Sequence, residues 1–332
     1  MRLPWRAKSV IVGAATVGAV ALALAVRHFA EGLTLNGDQI AVVSLFGALW
    51  VTSWLWPLVI YRGEQSEACH LDEGFLVVML LLVPGPAIVV TVAAATVMAQ
   101  AIRRRPFVKA VFNTGQMVCS VWAGSAVYGL IAHGSGGAIT GTHILGAITG
   151  AAVLFVVNSL SVALVLVATG ETWRSAFLEG ADIRVLLDAG SVAVAIPTTL
   201  AIAAYPWALP IAVVPLVVLR QVLAGHFEAR HDRGRLRGLF EATLDITRSM
   251  GTQETTDAIL RSARELLRCG EVRLAGRREA SGELQAGLDL PDNSLVLSVS
   301  GRSRSEPFDN ADQALLDALA AVGATALTNA AL

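Results

Sequence analysis

Asp188 stands inside an apolar run, "VLLDAGSVAVAIPTTLAIAA" (185–204), the one carboxylate of this sequence so placed. A carboxyl group in a membrane segment is costly, so it marks a proton relay or a ligand contact, or else reaches to the interface near the segment's end. Asn113 and Gln116 stand near the start of another apolar run, and Asn158, with Ser159 and Ser161, lies at the middle of a third. Amides at such positions can face a bound ligand, and they also serve as hydrogen-bonding glue between helices. His28, His133 and His143 flank apolar runs. Imidazole there can take a metal or respond to pH, or be a plain interfacial residue. "EQSEACHLDE" (64–73) gathers Cys69, His70 and four carboxylates, which reads as an acidic, solvated loop rather than a metal site. The glycine-rich "GSGGAITGTH" (134–143) lacks the Gly-Lys-Ser/Thr of a phosphate loop. Cys69, Cys119 and Cys269 form no CxxC pair. The expectation is therefore no catalytic residue, no metal and no cofactor.

The elements that position these residues are mostly apolar helices. Of 332 residues, 55% are hydrophobic and 15% charged, far from the quarter charged of a soluble domain. More than half of the charge lies in 226–332, which predicts a membrane domain followed by a soluble one. The net charge of −1 gives no sign of a nucleic-acid partner. Nearly all the basic residues are Arg, as in a GC-rich bacterial genome. The apolar run Val10–Val26 behind a basic start is longer than a signal-peptide core and reads as a retained first helix.

Helical crossings are expected at 9–28, 40–61, 110–132, 144–169, 184–204 and 207–224. The stretch 74–102 is too long for one straight crossing and short for two. Lys and Arg accumulate in cytoplasmic loops. If 74–102 turns back at Pro84-Gly85-Pro86, then Arg103, Arg104, Arg105 and Lys109 fall on the same side as Arg2, Arg6, Lys8 and Arg62. A hairpin is therefore expected, with eight segments and both termini cytoplasmic. Its first arm, 74–83, spans about 15 Å as a helix, so it crosses fully with help from 71–73 or is re-entrant.

The last membrane helix is expected to continue from Trp207 through Met250, with Gly234 and Gly238 as a hinge or break. Leu236, Leu239, Thr243, Ile246 and Met250 alternate by three and four, a seam suited to a parallel helix pair in a homodimer. A helix at about 254–268, strands at 271–276, 282–288 and 294–301, and a helix over 308–332 with the stripe Leu315, Leu319, Val322 and Ala326 complete a small α+β module.

"LFEATLDITRSMGTQETTDAILRSARELLRCGEVRLAG" and "EPFDNADQALLDALAAVGATALTNAAL" resemble the opening and closing helices of a GAF domain. The "PGP" turn, "RRRPFVKAVFNTGQ" and "FVVNSLSVALVL" resemble the multi-helix input region of bacterial signalling proteins, the kind that precedes GAF, GGDEF, EAL or HD-GYP domains. Only about twenty residues separate the first and last strands, fewer than a ligand-closing GAF domain uses, so a relay is expected rather than a cyclic-nucleotide or haem binder. No GGDEF or EAL sequence is present.

The fold class expected is an α-helical polytopic membrane domain of about eight segments with a small α+β GAF-like cytoplasmic domain. Its divisions are 1–225 (sensor), 226–250 (signalling helix) and 251–332 (truncated GAF-like domain). The resemblance implies a non-catalytic sensory module in the bacterial inner membrane. It would contact lipid, form a homodimer and act on a cytoplasmic output domain or a separate signalling protein, commonly in cyclic di-GMP signalling. A small-solute transporter and a recruiting scaffold are the alternatives.

Overall fold

The computed structural model describes residues 4–62, 65–70, 72–132, 139–178, 181–249, 251–276, 282–290, 294–302 and 308–331. His133 and Met250 lie outside the described residues. The chain divides into two compact units, one of Met1–Ile60 with Glu67–Ala224 and one of Tyr61–Ser66 with Gly225–Leu332.

The first unit is a bundle of α1 (Trp5–Ala30), α2 (Gly37–Leu55), α3 (Asp72–Leu82), α4 (Gly85–Ile102), α5 (Phe107–Ile131), α6 (Gly141–Thr169), α7 (Ala181–Ala204) and a one-turn α8 (Leu209–Ala212). The helix α9 (Val214–Arg248) begins in this unit and ends in the other. Among the described residues six stretches are long and apolar enough to cross a membrane: Trp5–Ala30, Gly37–Leu55, Gly85–Ile102, Gly141–Thr169, Arg174–Ala204 and Pro206–His226. Of the eight segments expected, α3 has only 11 residues. Glycines, serines and Gln116 lower the hydropathy of α5 below that of the other six.

The helix starts are chemically marked. Asn36 and Gln39 close a reciprocal capping box on α2, which satisfies two N–H groups that otherwise have no partner. Thr140 and His143 do the same for α6, and Gly170, at φ 116°, ends that helix in the left-handed region. Two helices touch backbone to backbone where side chains are absent. A Cβ added at Gly124 of α5 would lie 2.6 Å from the carbonyl oxygen of Gly150 on α6. Lipid tails are as apolar as Leu, so close packing of this kind is the main attraction between membrane helices.

The chain does reverse at Pro84-Gly85-Pro86. Trp54, at the end of α2, holds Asp72 at the start of α3, and Arg103, just past α4, donates to the carbonyl of Leu55 at 2.8 Å. Both ends of the α3–α4 pair therefore meet the same end of α2. Pro84 is the N-cap of α4, and Pro86 sits in its first turn, where a missing N–H costs nothing.

Three expectations need correction. The second helix stops at Leu55 rather than running to 61, because the chain turns into a hairpin of β1 (Leu58–Arg62) and β2 (Gln65–Cys69). The long helix begins at Val214 rather than Trp207, since Pro206, Pro210 and Pro215 divide its start into a 3₁₀ turn, α8 and α9. From there α9 is unbroken through Gly234 and Gly238.

The second unit comprises the C-terminal part of α9, α10 (Thr252–Leu267), β3 (Glu271–Gly276), β4 (Leu284–Asp289), β5 (Ser294–Ser300) and α11 (Asn310–Ala330). The three strands are antiparallel in the order β3-β5-β4, with Val272 opposite Val299 and Ala286 opposite Leu297. Alternate residues Val272, Leu297, Val299, Ala286 and Leu288 point into one core with Ile259, Ala263 and Leu267 of α10 and Leu315, Leu316 and Leu319 of α11. From α9, Ala242 and Ile246 enter the same core, and Leu239 packs against it.

Two residues of the seam expected on α9, Leu239 and Ile246, are thereby engaged in the core of their own unit. Ile246 is 0% exposed within its own unit, Leu239 is half-buried, and Thr243 turns its hydroxyl to the Leu239 carbonyl at 2.8 Å. Leu236 alone of the four described seam residues is open, at 65%.

Asp312 fixes α9 in this unit. It is buried, completes the α11 capping box with Asp309, and receives Arg235 of α9 on one oxygen and Arg302, after β5, on the other. Arg302 also lies 5.1 Å over the Phe308 ring. Replacing one member of a buried ion pair strands its partners. Asp312→Ala is expected to cost about 3 kcal/mol, measured as faster hydrogen exchange of the β5 amides.

Candidate functional site

The candidate site is built where α3 begins. The first turn of a helix carries unpaired N–H groups and a partial positive charge, which favours carboxylates. Asp72 and Glu73 occupy that turn, only 3% and 4% exposed. This corrects the solvated reading of 64–73: its last two carboxylates are inside the bundle. Asp72 accepts a hydrogen bond from the indole N–H of Trp54 at 3.1 Å on Oδ2, while Oδ1 is buried with no partner among the described residues.

Glu73 lies in hydrogen-bond contact with Asp188 of α7. Two carboxyl groups make such a bond only with a proton between them. Arg184, one turn earlier on α7, is the nearby cation, and its guanidinium donates to the Phe177 carbonyl at 2.7 Å. The close approach of α3 and α7 depends on Gly74, whose added Cβ would sit 3.1 Å from both Cβ and O of Ser191. Ser191 donates in turn to the Asp188 carbonyl at 2.8 Å.

His70 closes the near side. Its ring stacks on Trp54, centroids 4.6 Å apart and 7° from parallel. Nδ1 is 3.1 Å from the Ser53 carbonyl oxygen, an acceptor only, so Nδ1 carries the proton. Burial pushes the imidazole down to about 4. The Ser53 bond opposes that shift, and the Arg103 and Arg220 guanidiniums reinforce it. Arg220 donates to the Trp56 carbonyl, as Arg103 does to Leu55, so two cations cover the C-terminal carbonyls of α2.

Of the residues singled out by sequence, Asp188 belongs to this site, and it pairs with Glu73, a residue outside that set. Asn113 is half-buried on α5. Gln116 is 4% exposed, and its Oε1 has no partner among the described residues. Asn158, half-buried on α6, likewise has an unpartnered buried Oδ1. His28 is exposed beside Glu31 at 3.5 Å, and His143 serves the α6 cap. These two histidines are thus occupied with helix ends. Sequence reading gave no site role to Trp54, Gly74 or Arg184 and took Asp72 and Glu73 as part of a solvated loop or an extension of the first hairpin arm; the signal available was Asp72-Glu73 directly preceding "GFLVVMLLLVPGP", where helix-start carboxylates enter an apolar run.

Among the described residues no group of three His, Cys, Asp or Glu is arranged to hold a metal. The arrangement sets the carboxyl groups of Glu73 and Asp188 against each other between α3 and α7. The class defined by this fold is a helical membrane protein with a small α+β unit. No family model, curated protein or solved structure matches the chain.

Two outcomes are expected. A neutral His70 is favoured by the fold, so its contribution is complete above pH 6.5 and lost as pH falls from there through about 4. Labelled-histidine NMR should show the Nδ1–H tautomer persisting at pH 5; an imidazolium signal at that pH contradicts the burial. Second, Glu73→Ala and Asp188→Ala should each destabilise the bundle by about 1–3 kcal/mol. The double variant should cost less than their sum, as read in a thermal double-mutant cycle.

Proposed function

We propose that this chain is a membrane-embedded sensory module that relays a stimulus along α9 to a cytoplasmic signalling output. The observation that carries this reading is α9 itself. It is one helix of 35 residues whose start is apolar and whose end places Ala242 and Ile246 in the core of the α+β unit. A continuous helix transmits translation or rotation over its length, whereas a flexible linker does not. The Glu73–Asp188 pair is the element on which a stimulus acts in this reading, because a shared proton joins two helices that would repel without it. The likeness to GAF-linked input regions points to cyclic di-GMP metabolism as the output and to the bacterial inner membrane, termini inside, as the location. The chain itself is read as non-catalytic.

One observation favours a second reading, transport of a small solute or proton. Among the described residues, buried oxygens of Thr96, Gln100, Gln116, Ser125 and Asn158 have no hydrogen-bond partner. The short α3 followed by a Pro-Gly-Pro reversal also has the form of a transporter half-helix. Flux into proteoliposomes separates the two, since a relay carries none.

The relay is tested by phase. Each residue inserted after Gly225 rotates the remainder of the helix by about 100°. With a reporter cyclase fused after Leu332, inserting two alanines should change basal output several-fold, and inserting seven should restore it. Output indifferent to every insertion would exclude a rigid relay.

A further inference from the structure

We infer that α9 carries a second apolar face, distinct from the one buried in its own unit, and that this face is covered by the same face of a second copy of the chain in parallel orientation. On the helix, Arg235, Leu239, Ala242 and Ile246 turn inward to Asp312 and the core. Gly238 faces the same way, its added Cβ falling 2.7 Å from Leu266 Cδ2. A third of a turn away, Leu236, Phe240 and Leu244 are exposed at 65%, 64% and 37%, and Thr247 extends their line. An exposed Leu-Phe-Leu stripe on one helix marks an interaction surface.

The charges flanking this stripe identify its occupant. With Leu236 and Thr243 at d positions and Phe240 and Thr247 at a positions, Asp232 occupies a g position and Arg237 the following e position. In a parallel pair these are the residues that meet across the seam, g of one helix with e of the other. Two-fold symmetry forms the Asp232–Arg237 pair twice. Both side chains belong to exposed residues, and among the described residues Arg237 has only an exposed bond to Glu241, at 2.9 Å, to exchange. An antiparallel copy would lose this match. Copies inserted the same way in one membrane enter the aqueous phase with α9 running in one direction, so parallel pairing is also the accessible one. Arg233, at the preceding a position, closes the stripe at its membrane side.

The inference rests on the reading of α9 as a helix leaving the membrane. It fails separately from the relay, because association is measured without any output. The full chain in lipid nanodiscs should be a dimer by subunit counting. Phe240→Glu should weaken association by about a hundredfold while leaving the melting of the α+β unit unchanged, since Phe240 is outside its core. Asp232→Arg and Arg237→Asp should each weaken it by about tenfold, and the two together should restore it. Cysteine at 236 or 240 should cross-link copies, and cysteine at 241 or 245 should not. A monomer at all concentrations, a dimer indifferent to Phe240→Glu, or a double reversal that fails to rescue would each overturn the proposal. The first of these, with the stripe shielded by lipid, would assign the face to the bilayer instead.

Discussion

A carboxyl group inside an apolar bundle must have a partner, and this requirement organises the first unit. Desolvating a lone carboxylate costs far more than any single packing contact returns. Asp72 and Glu73 begin α3 inside the bundle, so a donor and a protonated neighbour have to be brought to them. Trp54 brings the end of α2, and Asp188 brings α7. Gly74 is the residue that lets α7 come near enough, because any side chain there would press on the Ser191 backbone. At the same end, Arg103 and Arg220 bind the last carbonyls of α2, which fixes the end of α4 and the start of α9. One group of polar contacts therefore ties together five helices, alongside close backbone packing such as that of Gly124 on Gly150.

The second unit is held by different physics. Its core is assembled from water, where each buried aliphatic side chain contributes about 1.5–3 kcal/mol. Ile246, Ile259, Leu297, Val299 and Leu316 are completely buried there. That drives assembly but does not fix the rotation of α9, since an aliphatic face slides at little cost. Asp312 supplies the missing specificity. It accepts two guanidiniums on separate oxygens and is itself held by the α11 cap, so Arg235 has one place to go. A buried ion cluster of this kind adds little net stability over a well-packed apolar substitute. Its effect is on register, which is the property the proposed relay would need.

Legibility in the sequence tracked the strength of each local signal. Period-two alternation and turn residues placed β3, β4 and β5 within two residues of their observed limits, and the stripe of α11 was read correctly in Leu315, Leu319, Val322 and Ala326. The Pro-Gly-Pro reversal was legible from charge placement. The site was mostly invisible because its residues come from separate parts of the chain. Trp54, Glu73 and Asp188 become neighbours only once three helices have packed. Glu73 was also misread for a local reason: it closes a charged stretch, and composition alone averages it with Glu64 and Glu67. The end of α2 was missed because "WPLVIY" is apolar and β-branched enough to suit either a helix or a strand, and only Pro57 argued for a stop.

The misplaced seam on α9 has a more general cause. Leu236, Leu239, Thr243 and Ile246 obey a three-four spacing, and so do Leu236, Phe240, Thr243 and Thr247. On a helix of 3.6 residues per turn the two sets are centred about 50° apart and share members. A pattern of spacing reports that a face is apolar, not how many faces there are. When a helix packs on its own domain and also meets a partner, two stripes overlap, and reading a single seam through them yields a direction that belongs to neither. The burial of Ile246 together with the exposure of Phe240 resolves them. In the proposed dimer a change in the rotation of α9 therefore trades one set of contacts against the other: turning Leu239 out of the core also turns Phe240 away from the second copy. A helix under both constraints would have few stable orientations, and a small number of discrete orientations is what the proposed relay requires.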